Sequence, residues 1–140
     1  THTGDQPPLM FVFKEFNSPC ISSETLLERF SAASSFMAGN PDGENILWAY
    51  NRLIVQKQKK KLLIVCSDGQ PAASRYDWGI EDYTAKVIKN IEQENKVDIY
   101  GFGMLSDSVS ELYKHHGVID NVQSIPTKLL EVIERKLLNV

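Results

Sequence analysis

The sequence predicts a three-layer α/β fold in which helices cover both faces of a mostly parallel sheet. Apolar, strand-type segments at 61–66, 97–103 and 117–120 are separated by segments whose apolar residues recur at helical spacing. Strands that alternate with helices favour a parallel sheet with right-handed crossovers. Moreover, the segment LLIVC is apolar without alternation, as expected for a strand with both faces buried.

The segments that precede residue 40 are predicted from their prolines and glycines and from the spacing of their apolar residues. Residues 1–8 are polar and contain two prolines, which disfavour regular structure. LMFVFKEF at 9–16 begins with five apolar residues and predicts a strand. Between residues 23 and 37 the spacing predicts a helix that ends before Gly39-Asn40-Pro41 and buries one face, formed by Leu26, Phe30, Ala33 and Met37.

The later helices follow the same logic. A helix starts after Asp42-Gly43-Glu44 and ends near a cluster of lysines at 57–61, which suits the negative end of a helix dipole. Further helices are predicted over 80–93 and 107–114, and a last one opens at Ser124 with Pro126 in its first turn. The predicted buried residues of this last helix are Leu129, Leu130, Val132, Ile133 and Leu137.

Composition limits the classes of function. The chain has 140 residues, room for one domain, and its net charge of −3 disfavours a nonspecific nucleic-acid binder. Cys20 and Cys66 form no CxxC pattern, and Cys66 is expected in the core. The three histidines lack zinc-ligand spacing. No apolar run of about 20 residues and no signal-peptide pattern are present, so we expect a cytoplasmic protein without membrane contact.

Asp68 is the first candidate for chemistry because it directly follows the strand at 61–66, and ligands of parallel sheets collect at the carboxyl ends of strands. The loops 67–78 and 103–108 and the turn 39–45 are expected to converge there. Asp42 and Glu44 have two readings. They are either helix caps or, with Asp68, carboxylate ligands of a hard cation such as Mg²⁺.

Catalytic motifs are scarce. The sequence contains no GxxxxGK[ST] phosphate loop, no GxGxxG and no GxSxG nucleophile elbow. An aspartate at a strand end is nevertheless common in doubly wound enzymes, so a small α/β hydrolase or phosphotransfer enzyme that uses Asp68 stays open as the alternative function. The segment Tyr113-Lys114-His115-His116 is interpreted as a helix end with its polar tips in water.

Three segments together resemble one family. KLLIVCSDGQPA and NPDGENILWAYNRL, followed by VDIYGFGMLSDSVSELYKHHGVID, are similar to the von Willebrand factor A (vWA) domain of CobT-type cobaltochelatase subunits, including phage relatives. The resemblance implies a Mg²⁺-dependent adhesion site (MIDAS) shared by three loops. Asp68 matches the family's aspartate, and Asn40 or Asp42 stands where most vWA domains supply a threonine. The family's DxSxS motif is absent from the chain, which implies that metal binding is weak or absent here although Mg²⁺ is expected in an intact parent.

The resemblance also implies a function and partners. It suggests a non-catalytic interaction domain that works with a MoxR/CobS-like AAA+ ATPase and a large chelatase-type subunit. Aligned on the family, 1–140 is expected to be a single partial vWA-like domain, truncated at its N-terminus, in which 9–16 is an antiparallel edge strand. The strand at 61–66 then has an open edge, expected to be filled by strand exchange, by a homodimer or by a rearranged 9–16 segment.

Overall fold

The chain forms a three-stranded parallel sheet with helices on both faces. The computed structural model describes residues 9–36, 41–68 and 79–138. The strands β1 (Leu62–Ser67), β2 (Asp98–Met104) and β3 (His116–Ile119) lie in the order β1-β2-β3. The helices are α1 (Ser23–Ser34), α2 (Asp42–Ile54), α3 (Ile80–Glu94), α4 (Val109–Leu112) and α5 (Ile125–Ile133), with a 3₁₀ turn at Val122–Ser124 and a π-helical turn at Glu134–Leu138. The predicted fold class and the parallel sheet are confirmed.

Side chains that alternate along the strands divide the core into two layers. On one face, Leu63, Val65 and Ile99 pack with α2, α3 and α4. On the other face, Leu62, Ile64, Tyr100 and Phe102 pack with Ile119 and α5. The sheet is therefore covered on both sides, and this cover explains why its central strand lacks a polar face.

Local chemistry sets the helix ends. At α1, the Thr25 N–H donates to Ser22 Oγ at 3.2 Å, which caps the first turn. At α3, Gly79 adopts φ 91° immediately before the helix, a left-handed conformation that favours glycine. The Pro126 predicted in the first turn of the last helix is there in α5.

The predicted antiparallel strand over 9–16 is wrong. The structure gives these residues no strand pairing. Instead, the ring of Phe13 stacks on Phe30 of α1 with centroids 4.1 Å apart, and Phe11 lies 5.9 Å from Phe36. Ring contacts with the neighbouring helix thus replace the ladder that five successive apolar residues suggested, and 9–16 does not rearrange into a strand beside β1.

Burial differs from the prediction at the periphery. β1 pairs only with β2 among the described residues, so its side chains are mostly half-buried and Cys66 is exposed rather than in the core. In α1 only Ala33 of the predicted face is buried, and Phe30 is exposed although its ring stacks on Phe13. Met37, the last residue of that predicted face, lies outside the described residues. In α5, Leu130 and Ile133 are exposed, contrary to the expected stripe.

Candidate functional site

The carboxyl end of the sheet is where β1 ends and where α2 and α3 begin. α2 packs on β1 and is joined to it by a short connection, so the two elements run in opposite directions. Asp42, the first residue of α2, therefore lies at the end of the sheet where β1 ends. Asp68, directly after β1, is exposed, whereas the preceding Ser67 is buried. The two carboxylates predicted as ligands thus lie at the same end of the sheet.

Asp42 is a buried carboxylate at the first position of α2. The next residue, Gly43, lies so close to α3 that a Cβ there would stand 2.5 Å from Tyr83 Cδ1 and 3.2 Å from Thr84 Oγ1. The absence of a side chain at Gly43 therefore lets the start of α2 approach the first turn of α3. The N-cap position of α2 is Pro41, and no side chain caps the helix by a hydrogen bond from that position, so the structure does not place Asp42 or Glu44 as the cap. Both acidic residues lie in the first turn, where their charge suits the positive end of the helix dipole.

Two buried polar atoms near this junction have no hydrogen-bond partner among the described residues. They are Asn45 Oδ1 in α2 and Thr84 Oγ1 in α3, and Thr84 is fully buried. Buried polar groups are normally paired, because an unpaired one costs about 1–3 kcal/mol. Thr84 shares the buried face of α3 with Val87, Ile88 and Ile91. Helical periodicity can indicate such a face, but it cannot reveal that the hydroxyl lacks a partner.

Tyr113 connects this junction with the sheet. Its ring lies against the backbone of Gly101, where a Cβ would stand 2.4 Å from Tyr113 Cδ2, and the residue is only 4% exposed. Burial first, and then the negative charge of Asp42, raise the pKa of its phenol. The interpretation of Tyr113 as a solvent-exposed helix end is therefore wrong, because α4 presses its ring onto the sheet.

The loop after β2 adds hydroxyl groups that sequence reasoning missed. Leu105 adopts φ 60° while its N–H donates to the Ile119 carbonyl at 3.0 Å, and the chain then folds back over Gly103. This bend places Ser106 and Ser108 side by side, with their hydroxyl oxygens 3.0 Å apart. The only sequence signal was the SDS segment that follows the strand.

Oxygen donors of the class that Mg²⁺ prefers are present at this end, namely the carboxylates of Asp42 and Asp68 and the hydroxyl of Thr84. Asn40, the third predicted ligand, lies outside the described residues. Within the described ranges no three His, Cys, Asp or Glu side chains are grouped closely enough to hold a metal ion. These oxygen atoms are of the type that a hard cation binds, but the described carboxylates are too few to hold the ion alone. Any such site therefore needs hydroxyl groups or water as further ligands.

No helix in the described part of the chain has the length and apolar character required to cross a membrane.

Comparison with known proteins bears on the whole chain. No solved structure matches the chain. The family model described as the cobalamin biosynthesis protein CobT VWA domain matches residues 8–139. With a match over nearly its full length, added to the parallel α/β sheet and the aspartate at the end of β1, the chain belongs to the family of CobT VWA domains.

Proposed function

We propose that this chain is a non-catalytic protein-interaction domain of a CobT-like cobaltochelatase subunit. The observation that supports the proposal most strongly is the family match over residues 8–139. In such a domain, the exposed end of the sheet serves for docking, and the ordered layers behind it hold the docking residues in place. The start of α2 is held in place in this way, through its contact with α3 at Gly43.

In this proposal a Mg²⁺ ion at the carboxyl end of the sheet bridges the domain to a carboxylate of the partner. Asp68 would hold the ion, with Asp42 or Asn40 of the 39–45 turn as second ligand. The exposure of Asp68 supports this role because a partner can reach it. The hydroxyl of Thr84 has no partner among the described residues, and this supports the binding of a further polar group near Asp42. When bound, the cation supplies positive charge that lets two acidic surfaces meet.

The affinity for the cation alone is expected to be weak. One or two carboxylates usually hold Mg²⁺ only together with waters and other ligands, and the described residues offer no group of three. A partner carboxylate would complete the coordination, so cation and partner should bind together. The partner class that we propose from the family is a MoxR/CobS-like AAA+ ATPase, together with a large chelatase-type subunit.

The first experiment measures Mn²⁺ and Mg²⁺ binding by calorimetry. We expect binding weaker than micromolar for the wild-type chain, further loss in Asp68→Asn, and no change in Asp107→Asn. Asp107 is the matched control because it is an exposed aspartate after the neighbouring strand. Micromolar binding would contradict the weak site, and equal binding by wild type and Asp68→Asn would remove Asp68 from it.

The second experiment separates the interaction domain from an enzyme. Asp68→Ala is compared with wild type for stimulation of the cognate AAA+ ATPase and, separately, for turnover of generic phosphate esters. We expect the substitution to reduce stimulation, while neither protein turns over the esters. Ester turnover that disappears in Asp68→Ala would instead favour a small hydrolase or phosphotransfer enzyme.

A further inference from the structure

The layer between β3 and α5 contains an open cavity of about 300 Å³. The buried side chains of Tyr100, Phe102 and Val132 form its floor. The charged side chains of Lys128, Glu131 and Arg135 stand at its mouth. This volume is at the lower end of the range of small-molecule sites. The cavity shares no residue with the proposed cation site, so its chemistry can be considered by itself.

Gly117 of β3 keeps this cavity open. It is the partner of Phe102 in the β2–β3 register. A Cβ at Gly117 would stand 3.0 Å from Tyr100 Oη and 3.3 Å from Phe102 Cε1, so a larger residue would project onto the floor. A glycine inside a strand weakens the strand and usually marks a bend or the close approach of another group. Here the glycine leaves room above two aromatic rings.

The outward carbonyls of β3 accept hydrogen bonds from side chains of the same chain. The carbonyls of residues 115 and 119 accept from the N–H groups of residues 101 and 105, on the side of β2, so those of residues 116 and 118 face outward. The carbonyl of residue 116 accepts from Tyr100 Oη at 2.6 Å, and that of residue 118 accepts from Lys128 Nζ. An added strand would have to displace both donors. The cavity beside β3 therefore suits a small ligand better than a strand of a partner.

Glu131 and Arg135 bring one negative and one positive charge to the mouth of the cavity. Lys128 is already engaged, because its Nζ also lies 3.3 Å from Asp120 Oδ2. Within the described ranges, neither Glu131 nor Arg135 forms a hydrogen bond or an ion pair, and both side chains are exposed. The Arg135 guanidinium lies over the ring of Tyr100, with Cζ 5.7 Å from the ring centroid. Its N–H groups therefore stay available to a carboxylate.

We propose that this cavity binds a free α-amino acid with an apolar side chain. The carboxylate of the ligand pairs with Arg135, its ammonium group pairs with Glu131, and its side chain lies on the aromatic floor. Glu131 and Arg135 line the same cavity and lie four residues apart, a short separation that suits the two charges of one small zwitterion. A simple anion would lie beside the negative charge of Glu131, and a simple cation would lie beside the positive charge of Arg135. A zwitterion meets an opposite charge at both places.

An NMR titration of the full chain with L-phenylalanine tests the proposal. It is made in EDTA, so its result is independent of the proposed cation site and function. We expect saturable shifts of the amides of β3 and α5, with a dissociation constant of about 1 mM or tighter. Three fragments of the ligand should each bind about tenfold or more weakly, because each lacks one contact. They are 3-phenylpropionate without the ammonium group, 2-phenylethylamine without the carboxylate, and glycine without the apolar side chain.

Two variants without the charges assign the two ends of the ligand. Arg135→Gln is expected to weaken L-phenylalanine binding about tenfold or more and to leave 2-phenylethylamine binding unchanged. Glu131→Gln should weaken L-phenylalanine binding to a similar extent and should not weaken the binding of 3-phenylpropionate. Glu134→Gln is the matched control, because this exposed carboxylate is close in sequence and does not line the cavity. The proposal is overturned if no saturable shift appears up to the solubility limit of phenylalanine, or if 3-phenylpropionate binds the wild-type chain as tightly as L-phenylalanine does.

Filling the cavity tests its location. Gly117→Val should abolish the binding of L-phenylalanine, since its side chain occupies the space above the floor. The double variant Tyr100→Phe/Gly117→Val removes the hydroxyl that the new Cβ would approach, so it keeps the test valid if the single variant does not fold. Tyr100→Phe alone retains the ring and should retain binding. A variant with valine at residue 117 that is folded by circular dichroism and still binds L-phenylalanine with wild-type affinity would place the ligand elsewhere and overturn the proposal.

Discussion

At the residue scale, two glycines are each covered by a tyrosine ring, but the rings differ in freedom. A Cβ at Gly101 would stand 2.4 Å from the buried Tyr113, and one at Gly43 would stand 2.5 Å from Tyr83, which is 39% exposed. Substitutions by alanine therefore probe the same close approach in two environments. Only the exposed ring can move into solvent.

We predict that Gly101→Ala lowers the free energy of unfolding by roughly 1–3 kcal/mol, the usual cost of overpacking a core. Gly43→Ala should cost less, because Tyr83 can turn outward and alanine is the better helix former. Urea denaturation of both variants measures the difference. Equal losses would mean that the Tyr113 ring is as free to move as that of Tyr83.

Tyr50 provides a prediction about pH. Its hydroxyl donates to Glu94 Oε2 at 2.7 Å, and burial, followed by this hydrogen bond, raises its pKa to about 12 from 10.0. The neutral phenol is favoured in the folded state, so its contribution to stability is complete below pH 10 and is lost as pH rises through 12. The raised pKa of Tyr113 acts with the same sign.

We predict that Tyr50→Phe lowers stability by about 1 kcal/mol at pH 7, where it removes the hydrogen bond, and flattens the decline between pH 10 and 12. Urea midpoints at pH 7, 10 and 11.5 give the comparison. Parallel curves for wild type and variant would show that Tyr50 does not contribute to the alkaline loss. Lys89→Gln, on the same helix as Glu94, is a control with no change expected at the Tyr50 contact.

The residues that carry the candidate site were only partly predictable. The position of Asp68 directly after β1 was predictable because a carboxylate and a glycine interrupt an apolar run, while its role as a ligand stays a prediction. The unpaired hydroxyl of Thr84 and the burial of Tyr113 depend on how α2, α3 and α4 meet, and this relation has no local sequence signal. Sequence therefore points to groups at strand ends better than to groups between helices.

At the element scale, the predictions are accurate where an element packs on the sheet. α2, α3, β2 and α5 occur close to their expected bounds, because periodicity and caps agree with tertiary packing. The 9–16 segment fails for the opposite reason. Its apolar run is compatible with a strand, but a strand exists only beside a partner, and these side chains contact α1 instead.

α5 supplies an element-scale prediction because it has one buried apolar side and one exposed apolar side. Val132 is 4% exposed in the layer beneath the sheet, whereas Leu130 is largely in solvent. Val132→Ala should lower the free energy of unfolding by about 2 kcal/mol. Leu130→Ala should cost less than about 0.5 kcal/mol in the monomer.

Thermal and urea denaturation check this pair. A loss at Leu130 as large as that at Val132 would place both residues inside the monomer core.

At the scale of the whole molecule, the two layers of core and the sheet form one packed unit, while α1 lies outside it. The most extensive contacts between elements join β1 with β2, β2 with β3, and α2 with α3. α1 is attached through rings of the 9–16 segment and through Arg29, which donates to the Phe13 carbonyl. An ion pair of Glu15 with Arg52 links the segment in turn to α2.

This division predicts that α1 opens locally before the core of the sheet unfolds. Phe30→Ala removes the ring stacked on Phe13, so the amides of α1 should exchange faster with deuterium while the protection of β2 and α3 stays unchanged, because opening of weakly packed parts precedes global unfolding. Ile88→Ala, at a fully buried core position, is the contrasting variant and should lower global stability by roughly 2–5 kcal/mol. Its effect should reach the protected amides of the sheet, since these exchange only when the core opens. Loss of protection in β2 caused by Phe30→Ala would mean instead that α1 and the sheet unfold as one cooperative unit, because the attachment through Phe13 and Arg52 would then transmit the defect to the core.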